Sequence, residues 1–138
     1  MTTIAYDGKT IAYDSRETMG DFISSDKHDK HIYSQGIHFF YCGTVIDCQE
    51  FINSYESGEC SPDISCQVFM AQDGQVYRSS HELGTIWVEY MDEPFAMGTG
   101  ADFAIGAMDM GADAKQAVKI ACGRDTKSGG RIRTFKVK

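Results

Sequence analysis

The sequence has few basic residues and lacks any long apolar run. Lys and Arg total 13 against 20 Asp and Glu, which gives a formal net charge of −7 and a pI near 4.9. Non-specific binding to nucleic acid or to an anionic membrane surface needs a basic surface, so we expect neither. No apolar run reaches the roughly 18 residues needed to cross a bilayer, and no basic-then-apolar leader is evident. We expect a soluble protein that keeps its N-terminus apart from Met1.

The cysteines lack the spacings of a disulfide framework or a zinc site. Their number, five, is odd, and neither a CxxC pair nor a Cys/His zinc spacing occurs. Three histidines near Cys42 show no recurring ligand spacing, and the glycines at 98, 100 and 106 depart from the GxGxxG pattern of a nucleotide loop. The sequence therefore predicts reduced thiols, a cytoplasmic protein, and neither a metal nor a cofactor.

The size and apolar content are those of one ordinary globular domain. The chain has 138 residues, 42 % of them apolar, and this is enough to bury a core without disulfides or metal. Repeats, linkers and low-complexity stretches are not evident. We expect a single domain over residues 1–138.

Two Asp-Gly pairs between β-forming residues predict hairpins, because glycine supplies the positive φ of a tight turn. They are Asp7-Gly8 and Asp73-Gly74. Asp113 is placed to cap a late helix, and the methionines between 97 and 110 are expected to fill the core or a subunit interface. The order of elements favours an α+β fold with two sheets and helices packed outside them. The predicted strands are 4–6, 10–13, 22–25, 37–41, 66–71, 75–79, 85–90 and 131–137, and the predicted helices are 47–55, 100–110 and 114–122, the last with Ala114, Ala117, Val118 and Ala121 on its inner face.

The residues after Met1 place reactive chemistry at the start of the first hairpin. Removal of Met1 would give Thr2 a free α-amine beside its hydroxyl, so one residue would carry both a nucleophile and a base. An α-amine has an ordinary pKa of roughly 7.7–8.0, so part of it is neutral near pH 7. A nearby fixed cation would favour the neutral amine and lower the pKa of the hydroxyl, and a backbone N–H would stabilise the oxyanion.

Six segments spread along the chain occur in an order typical of one family. In this order the chain resembles, nearly end to end, the proteasome β-type subunits and their bacterial relative HslV, the N-terminal-threonine hydrolases. The resemblance implies a four-layer αββα sandwich of the N-terminal-nucleophile type. The six segments are Thr2-Thr3-Ile4, Asp14-Ser15-Arg16-Glu17-Thr18, Lys30, Cys42-Gly43, Gly98-Thr99-Gly100 and Arg124-Asp125-Thr126-Lys127-Ser128-Gly129.

The resemblance also implies a role for each matching residue. Thr2 would be the nucleophile, Lys30 the buried cation beside it, and Asp14 the carboxylate that holds Lys30. The amide of Gly43 would donate to the oxyanion. Thr18 would pair its backbone with an extended substrate. Hydrogen bonds around the amine and hydroxyl would come from Thr99, Asp125 and Ser128. Tyr41 would form a wall of the specificity pocket.

The chain departs from the family pattern in several places, among them a first hairpin that is shorter than usual. Thr99 stands where the family usually has serine, although a hydroxyl is kept. The stretch from Asp47 to Gly98 is too short for the usual pair of long central helices, so we expect one short helix and a loop there. Lys27 competes with Lys30 for the role of the cation, because the segment around them has no clear anchor, but the spacing from Asp14 favours Lys30.

The resemblance implies a self-compartmentalising homo-oligomeric ring that cleaves peptides or unfolded polypeptides supplied by a partner AAA+ ATPase. Two alternatives stay open. A chain that keeps Met1 would have an amide at Thr2 and would be a catalytically inert ring subunit or interaction module. An active chain could instead be an amidase for small molecules, in which case the strand edge at Thr18 would have no role.

Overall fold

A computed structural model describes residues 2–138, which divide into two compact units. The first unit contains the residues up to Lys30 together with Asp92–Lys138, and the second contains His31–Met91. Within the described residues, no helix is both long and apolar enough to cross a membrane. In chain order the elements are β1 (Ile4–Tyr6), β2 (Thr10–Tyr13), β3 (Glu17–Met19), β4 (Phe22–Ser25), β5 (His31–Ser34), β6 (Ile37–Gly43), α1 (Val45–Ser54), a 3-10 turn (Tyr55–Ser57), β7 (Cys66–Gln72), β8 (Gln75–Glu82), β9 (Thr85–Met91), β10 (Phe95–Met97), α2 (Ala101–Asp109), α3 (Ala114–Cys122) and β11 (Arg133–Lys136).

The first unit begins with the predicted hairpin of β1 and β2. Gly8 has φ +99°, and the Asp7 carboxylate accepts hydrogen bonds from the amides of Lys9 (2.9 Å) and Thr10 (2.8 Å). The second oxygen of Asp7 accepts from the amide of Ala114 at 2.9 Å, so the turn also satisfies the first turn of α3. One aspartate therefore fixes both the hairpin and the start of a helix distant in sequence.

The hairpin lies at the centre of a four-stranded sheet in the order β10-β1-β2-β11, with every pair antiparallel. Helices α2 and α3 pack against this sheet through small side chains. Asp113 and Gln116 form a capping box at the start of α3, as the N-cap prediction requires. The predicted inner face of α3 is confirmed, since all four of its residues are buried. One cluster of buried apolar residues in this unit contains Ala5, Ala12, Ala96, Ala104, Ala114, Ala117, Val118 and Ala121.

Strands β3 and β4 form a separate two-stranded sheet in the same unit. Thr18 pairs with Ile23, and the register shifts between Glu17 and Thr18. Met19 and Phe22, at the end of this hairpin, are 62 % and 60 % exposed. The β3 partner of the predicted strand β4 was not foreseen from the sequence.

The second unit is a five-stranded antiparallel sheet in the order β5-β6-β7-β8-β9. The second Asp-Gly turn joins β7 to β8, as predicted, with Asp73 at φ +53° and Gly74 at φ +75°. Helix α1 packs on this sheet and is the one α-helix of the second unit, so the predicted shortening of the central segment is confirmed. The helix and the sheet together form a buried cluster of Phe39, Tyr41, Cys48, Phe51, Ile52, Cys66, Val68 and Met70.

Two details of the sequence interpretation are corrected. Met97 lies in strand β10 and is buried, whereas Met110, which follows α2, is 89 % exposed, so the methionines do not all fill the core, and their place at a subunit interface stays a prediction. Strand β5 was missed, and α1 begins two residues before the predicted start. All five cysteines are free thiols, and Cys42 is buried.

Candidate active site

The first hairpin brings the predicted nucleophile and its predicted carboxylate side by side. Strand β1 follows Thr3 and strand β2 precedes Asp14, and Ile4 pairs with Tyr13 in the ladder. The Thr3 amide donates to Asp14 Oδ1 at 3.0 Å, and the Asp14 amide donates to the Thr3 carbonyl at 3.2 Å. A tight turn between two short strands therefore places the Asp14 carboxylate next to the Thr2–Thr3 pair.

Lys30 joins these two residues through its ammonium group. Its Nζ lies 3.1 Å from Thr2 Oγ1 and 2.8 Å from Asp14 Oδ1. Thr2, Asp14 and Lys30 are 2 %, 0 % and 3 % exposed. In such surroundings an ammonium group favours the alkoxide form of a neighbouring hydroxyl far more than it does in water.

Each oxygen of the buried Asp14 carboxylate accepts two hydrogen bonds. Oδ2 accepts from the amides of Arg16 (3.2 Å) and Gly129 (3.0 Å), while Oδ1 accepts from Lys30 and Thr3. A buried charge is costly unless it is paired and hydrogen-bonded, and here it is both. The four donors hold the carboxylate, and through it the ammonium of Lys30, in one orientation.

The geometry distinguishes between the two candidate lysines. Lys27 is exposed, and its amide donates to Ser25 Oγ at 3.0 Å. Lys30 is buried and directly contacts Thr2 and Asp14. Lys30 is therefore the lysine that lies beside the threonine hydroxyl.

A second cluster, centred on Asp125, approaches the nitrogen of Thr2. Asp125 Oδ2 accepts hydrogen bonds from Thr99 Oγ1 and Ser128 Oγ, each at 2.6 Å. The Thr2 nitrogen donates to Thr99 Oγ1 at 3.4 Å. Partial burial alone would raise the pKa of Asp125, but the hydrogen bonds from Ser128 and Thr99 outweigh it and hold that pKa below its usual range. Asp125 is therefore ionised at neutral pH.

The remaining predicted residues lie elsewhere in the two units. Thr18 is in the middle of β3, the strand next to β4 in the two-stranded sheet. Gly43 and Tyr41 belong to the second unit, at the end of β6. Gly43 has φ +140°, and a Cβ there would overlap the carbonyl oxygen of Ser65, so this position requires glycine. The predicted roles of these three residues stay predictions.

Comparison with known proteins rests on solved structures. No protein-family model matches the sequence, and no curated protein matches it. HslV from Trypanosoma brucei aligns over 98 % of this chain and 97 % of its own, with a TM-score of 0.74 and 15 % identity. Thiobacillus denitrificans BPH aligns over 98 % and 96 %, with a TM-score of 0.73 and 18 % identity. The same protein in complex with epoxomicin gives a TM-score of 0.72 and 18 % identity.

The chain has the HslV/proteasome β-type fold. The predicted α+β fold class is confirmed. At 15–18 % identity the likeness concerns the fold, so the chemistry has to be argued from the residues of this chain.

Two residues of the site were missed by the sequence interpretation. Thr3 is fully buried, and its Oγ1 lies 2.7 Å from Ser128 Oγ. A Cβ on Gly100 would overlap Thr3 Oγ1, so glycine is needed where α2 begins. The doubled threonine and the glycine after Thr99 are visible in the sequence, but no local pattern indicates that residues 3, 100 and 128 meet.

Proposed function

We propose that this protein is an N-terminal-threonine peptidase with Thr2 as its nucleophile. The observation that carries the proposal is the buried contact of Lys30 Nζ with both Thr2 Oγ1 and Asp14 Oδ1. A lysine that merely neutralised Asp14 would not need to lie within hydrogen-bond distance of a threonine hydroxyl. The contact instead gives that hydroxyl the cation that an alkoxide needs.

The reaction begins with removal of Met1, which converts the Thr2 amide into a free amine. The Thr2 hydroxyl then attacks a peptide carbonyl, and its proton passes to the α-amine of the same residue. Thr99 Oγ1 accepts a hydrogen bond from the Thr2 nitrogen and so orients that amine. The C–N bond breaks as the amine returns the proton to the leaving group, and an ester to Thr2 remains. Water then attacks the ester and releases the second product.

The remaining predicted residues take their places in the same scheme. The Gly43 amide is the proposed donor to the oxyanion, and Tyr41 the proposed wall of the specificity pocket. Thr18 is the proposed pairing position for an extended substrate, which its place in a two-stranded sheet supports, because a strand there can gain a partner on its second side. Residues 1–138 act as a single domain in this proposal.

The proposed substrates are peptides and unfolded polypeptides, and the proposed assembly is a homo-oligomeric ring served by an AAA+ ATPase. The structural likeness to HslV supports this assembly. Static light scattering tests it, since a monomer at working concentration would refute the ring. Short peptides need no ATPase, so they are the first substrates to test.

The activity is tested with Thr2→Ala and Thr2→Ser on fluorogenic peptides. We expect Thr2→Ala to abolish cleavage and Thr2→Ser, which keeps a hydroxyl beside the amine, to retain part of it. Wild-type cleavage by Thr2→Ala would overturn the proposal. A protein that cleaves small amides but no peptide would be the amidase instead.

Intact mass separates the enzyme from the inert alternative. A mass lower by one methionine residue supports the enzyme, because only then can the Thr2 nitrogen accept a proton. A retained Met1 with no peptide cleavage would make the chain an inert ring subunit or interaction module.

A further inference from the structure

The hydroxyl of Thr3, the residue after the proposed nucleophile, lies in the same network as the Thr2 nitrogen. Thr3 is 0 % exposed, and its Oγ1 approaches Ser128 Oγ, 125 residues away in sequence, at 2.7 Å. Gly100 leaves the space that this hydroxyl occupies. A buried hydroxyl that fits against a glycine and a second hydroxyl is held in one rotamer.

The ionised carboxylate of Asp125 sets the direction of every hydrogen bond in this network. A carboxylate can only accept, so Ser128 and Thr99 each donate their single hydroxyl hydrogen to Asp125 Oδ2. Ser128 Oγ can then only accept from Thr3, and the Thr3 hydroxyl is the donor of the 2.7 Å hydrogen bond. Because Thr99 also gives its hydroxyl hydrogen to Asp125, Thr99 Oγ1 accepts from the Thr2 nitrogen.

The hydrogen bonds therefore connect the Thr3 hydroxyl to the nitrogen of Thr2. It passes from Thr3 through Ser128 to Asp125, and Asp125 also holds Thr99, which contacts the Thr2 nitrogen. Thr2 and Thr3 are also joined by their peptide bond, so the connected groups form a ring. Without the Thr3 donor, Ser128 Oγ would be restrained on the Asp125 side alone, and the carboxylate that orients Thr99 would lose part of its support.

We propose that Thr3 is a positioning residue whose hydroxyl, by donating to Ser128, holds Asp125 and Thr99 in the arrangement that orients the Thr2 amine. This inference rests on the proposed function, since it assigns a role within that same site. It assigns Thr3 a task beyond starting β1, and it gives a reason for the glycine at position 100.

The matched variants Thr3→Ser and Thr3→Ala test the hydroxyl, because they differ by one oxygen and both lack the methyl group. Thr3→Val is the control for shape, because it keeps the branching and loses the hydroxyl. We expect Thr3→Ser to keep kcat on a fluorogenic peptide within about threefold of the wild type. Thr3→Ala and Thr3→Val should each lower kcat about tenfold, the effect of one lost hydrogen bond, with KM within twofold.

A packing role would give the opposite ranking. If the methyl group mattered and the hydroxyl did not, Thr3→Val would match the wild type while Thr3→Ser and Thr3→Ala would be impaired alike. That ranking, or equal kcat for Thr3→Ser and Thr3→Ala, would overturn the proposal. Should Thr3→Val fail to fold, the Ser/Ala comparison alone decides.

A second measurement does not depend on turnover. The pKa of the Asp125 carboxyl, followed by ¹³C NMR, should rise in Thr3→Ala and Thr3→Val and stay unchanged in Thr3→Ser. Asp125 is also affected by the Lys127 amide, the N-terminal amine and the Cys122 thiol, and these groups are the same in all variants. A wild type that cleaves no peptide but shows this pattern would refute the proposed function and leave the positioning role standing. An unchanged pKa in Thr3→Ala would refute the positioning role itself.

Discussion

Replacing Lys30 with methionine removes a buried cation and leaves a side chain of similar length. The Asp14 carboxylate then loses its 2.8 Å partner while it stays 0 % exposed. Breaking a buried ion pair typically costs 3–5 kcal/mol, and we expect about 3 kcal/mol here. The lower figure follows because three backbone amides, those of Thr3, Arg16 and Gly129, still donate to the carboxylate. A domain of ordinary stability, roughly 5–15 kcal/mol, survives that loss.

The effect on peptide cleavage should be much larger than the effect on folding. Loss of one preorganised donor at a developing oxyanion typically lowers kcat by about 10²–10³-fold, and we expect at least this for Lys30→Met, since the nucleophile also loses its activating charge. Thermal unfolding and kcat on a fluorogenic peptide are measured on the same preparation.

The matched control for this experiment is Lys27→Met, because Lys27 is exposed and only three residues away. It should change neither the midpoint of unfolding nor kcat beyond about twofold. Lys30→Met with kcat within tenfold of the wild type, or an equal loss in Lys27→Met, would refute the proposed role of Lys30. A Lys30→Met chain that does not fold at all would make Lys30 structural.

Three further predictions concern glycine packing, acid stability and thiol reactivity. Gly100→Ala should destabilise the fold by about 1–3 kcal/mol, because its Cβ would overlap Thr3 Oγ1. Gly106→Ala in α2, with open space at its Cβ, should stabilise the fold by about 0.5–1 kcal/mol. Free energies of unfolding that rank the two variants the other way would contradict the packing at Gly100. Because the pKa of Asp125 is lower in the folded chain, the stabilising effect of its carboxylate is complete above about pH 4 and is lost as pH falls through the folded pKa. Asp125→Asn should therefore reduce the dependence of the unfolding midpoint on pH in the acid range. An unchanged dependence would disprove this contribution of Asp125. Burial and the nearby Asp14 raise the pKa of Cys122 to about 11. At pH 8 iodoacetamide should therefore alkylate this thiol roughly 100-fold more slowly in the folded than in the urea-unfolded chain, and equal rates would contradict the raised pKa.

Features fixed by neighbouring residues were the ones that sequence predicted well. Asp7-Gly8 and Asp73-Gly74 turn the chain as expected, because the turn needs only those two residue types. The cap at Asp113 and the inner face of α3 followed from spacing within one helix. Strands β3 and β5 were missed because they are short and lack an apolar run, and their hydrogen bonds come from β4 and β6.

The site was predictable to the extent that its segments follow a family order. Spacing favours Lys30 over Lys27 but does not exclude Lys27, since burial and contact with Asp14 decide between them and neither is local. Thr3 was missed because its partner Ser128 lies 125 residues away. Gly100 was likewise indistinguishable from an ordinary glycine, because the atom it avoids belongs to the other end of the chain.

The proposed mechanism requires Thr2 to carry both a reactive hydroxyl and a free amine. A peptide epoxyketone tests the two groups together, because its ketone reacts with a hydroxyl and its epoxide with an amine. Epoxomicin, present in the Thiobacillus denitrificans BPH complex, is a suitable probe. The decisive measurement is the mass of the N-terminal peptide after incubation with epoxomicin. We expect a peptide that lacks Met1 and carries one epoxomicin on Thr2, with no adduct in Thr2→Ala. An unmodified peptide that still begins with Met1 would contradict the proposed mechanism.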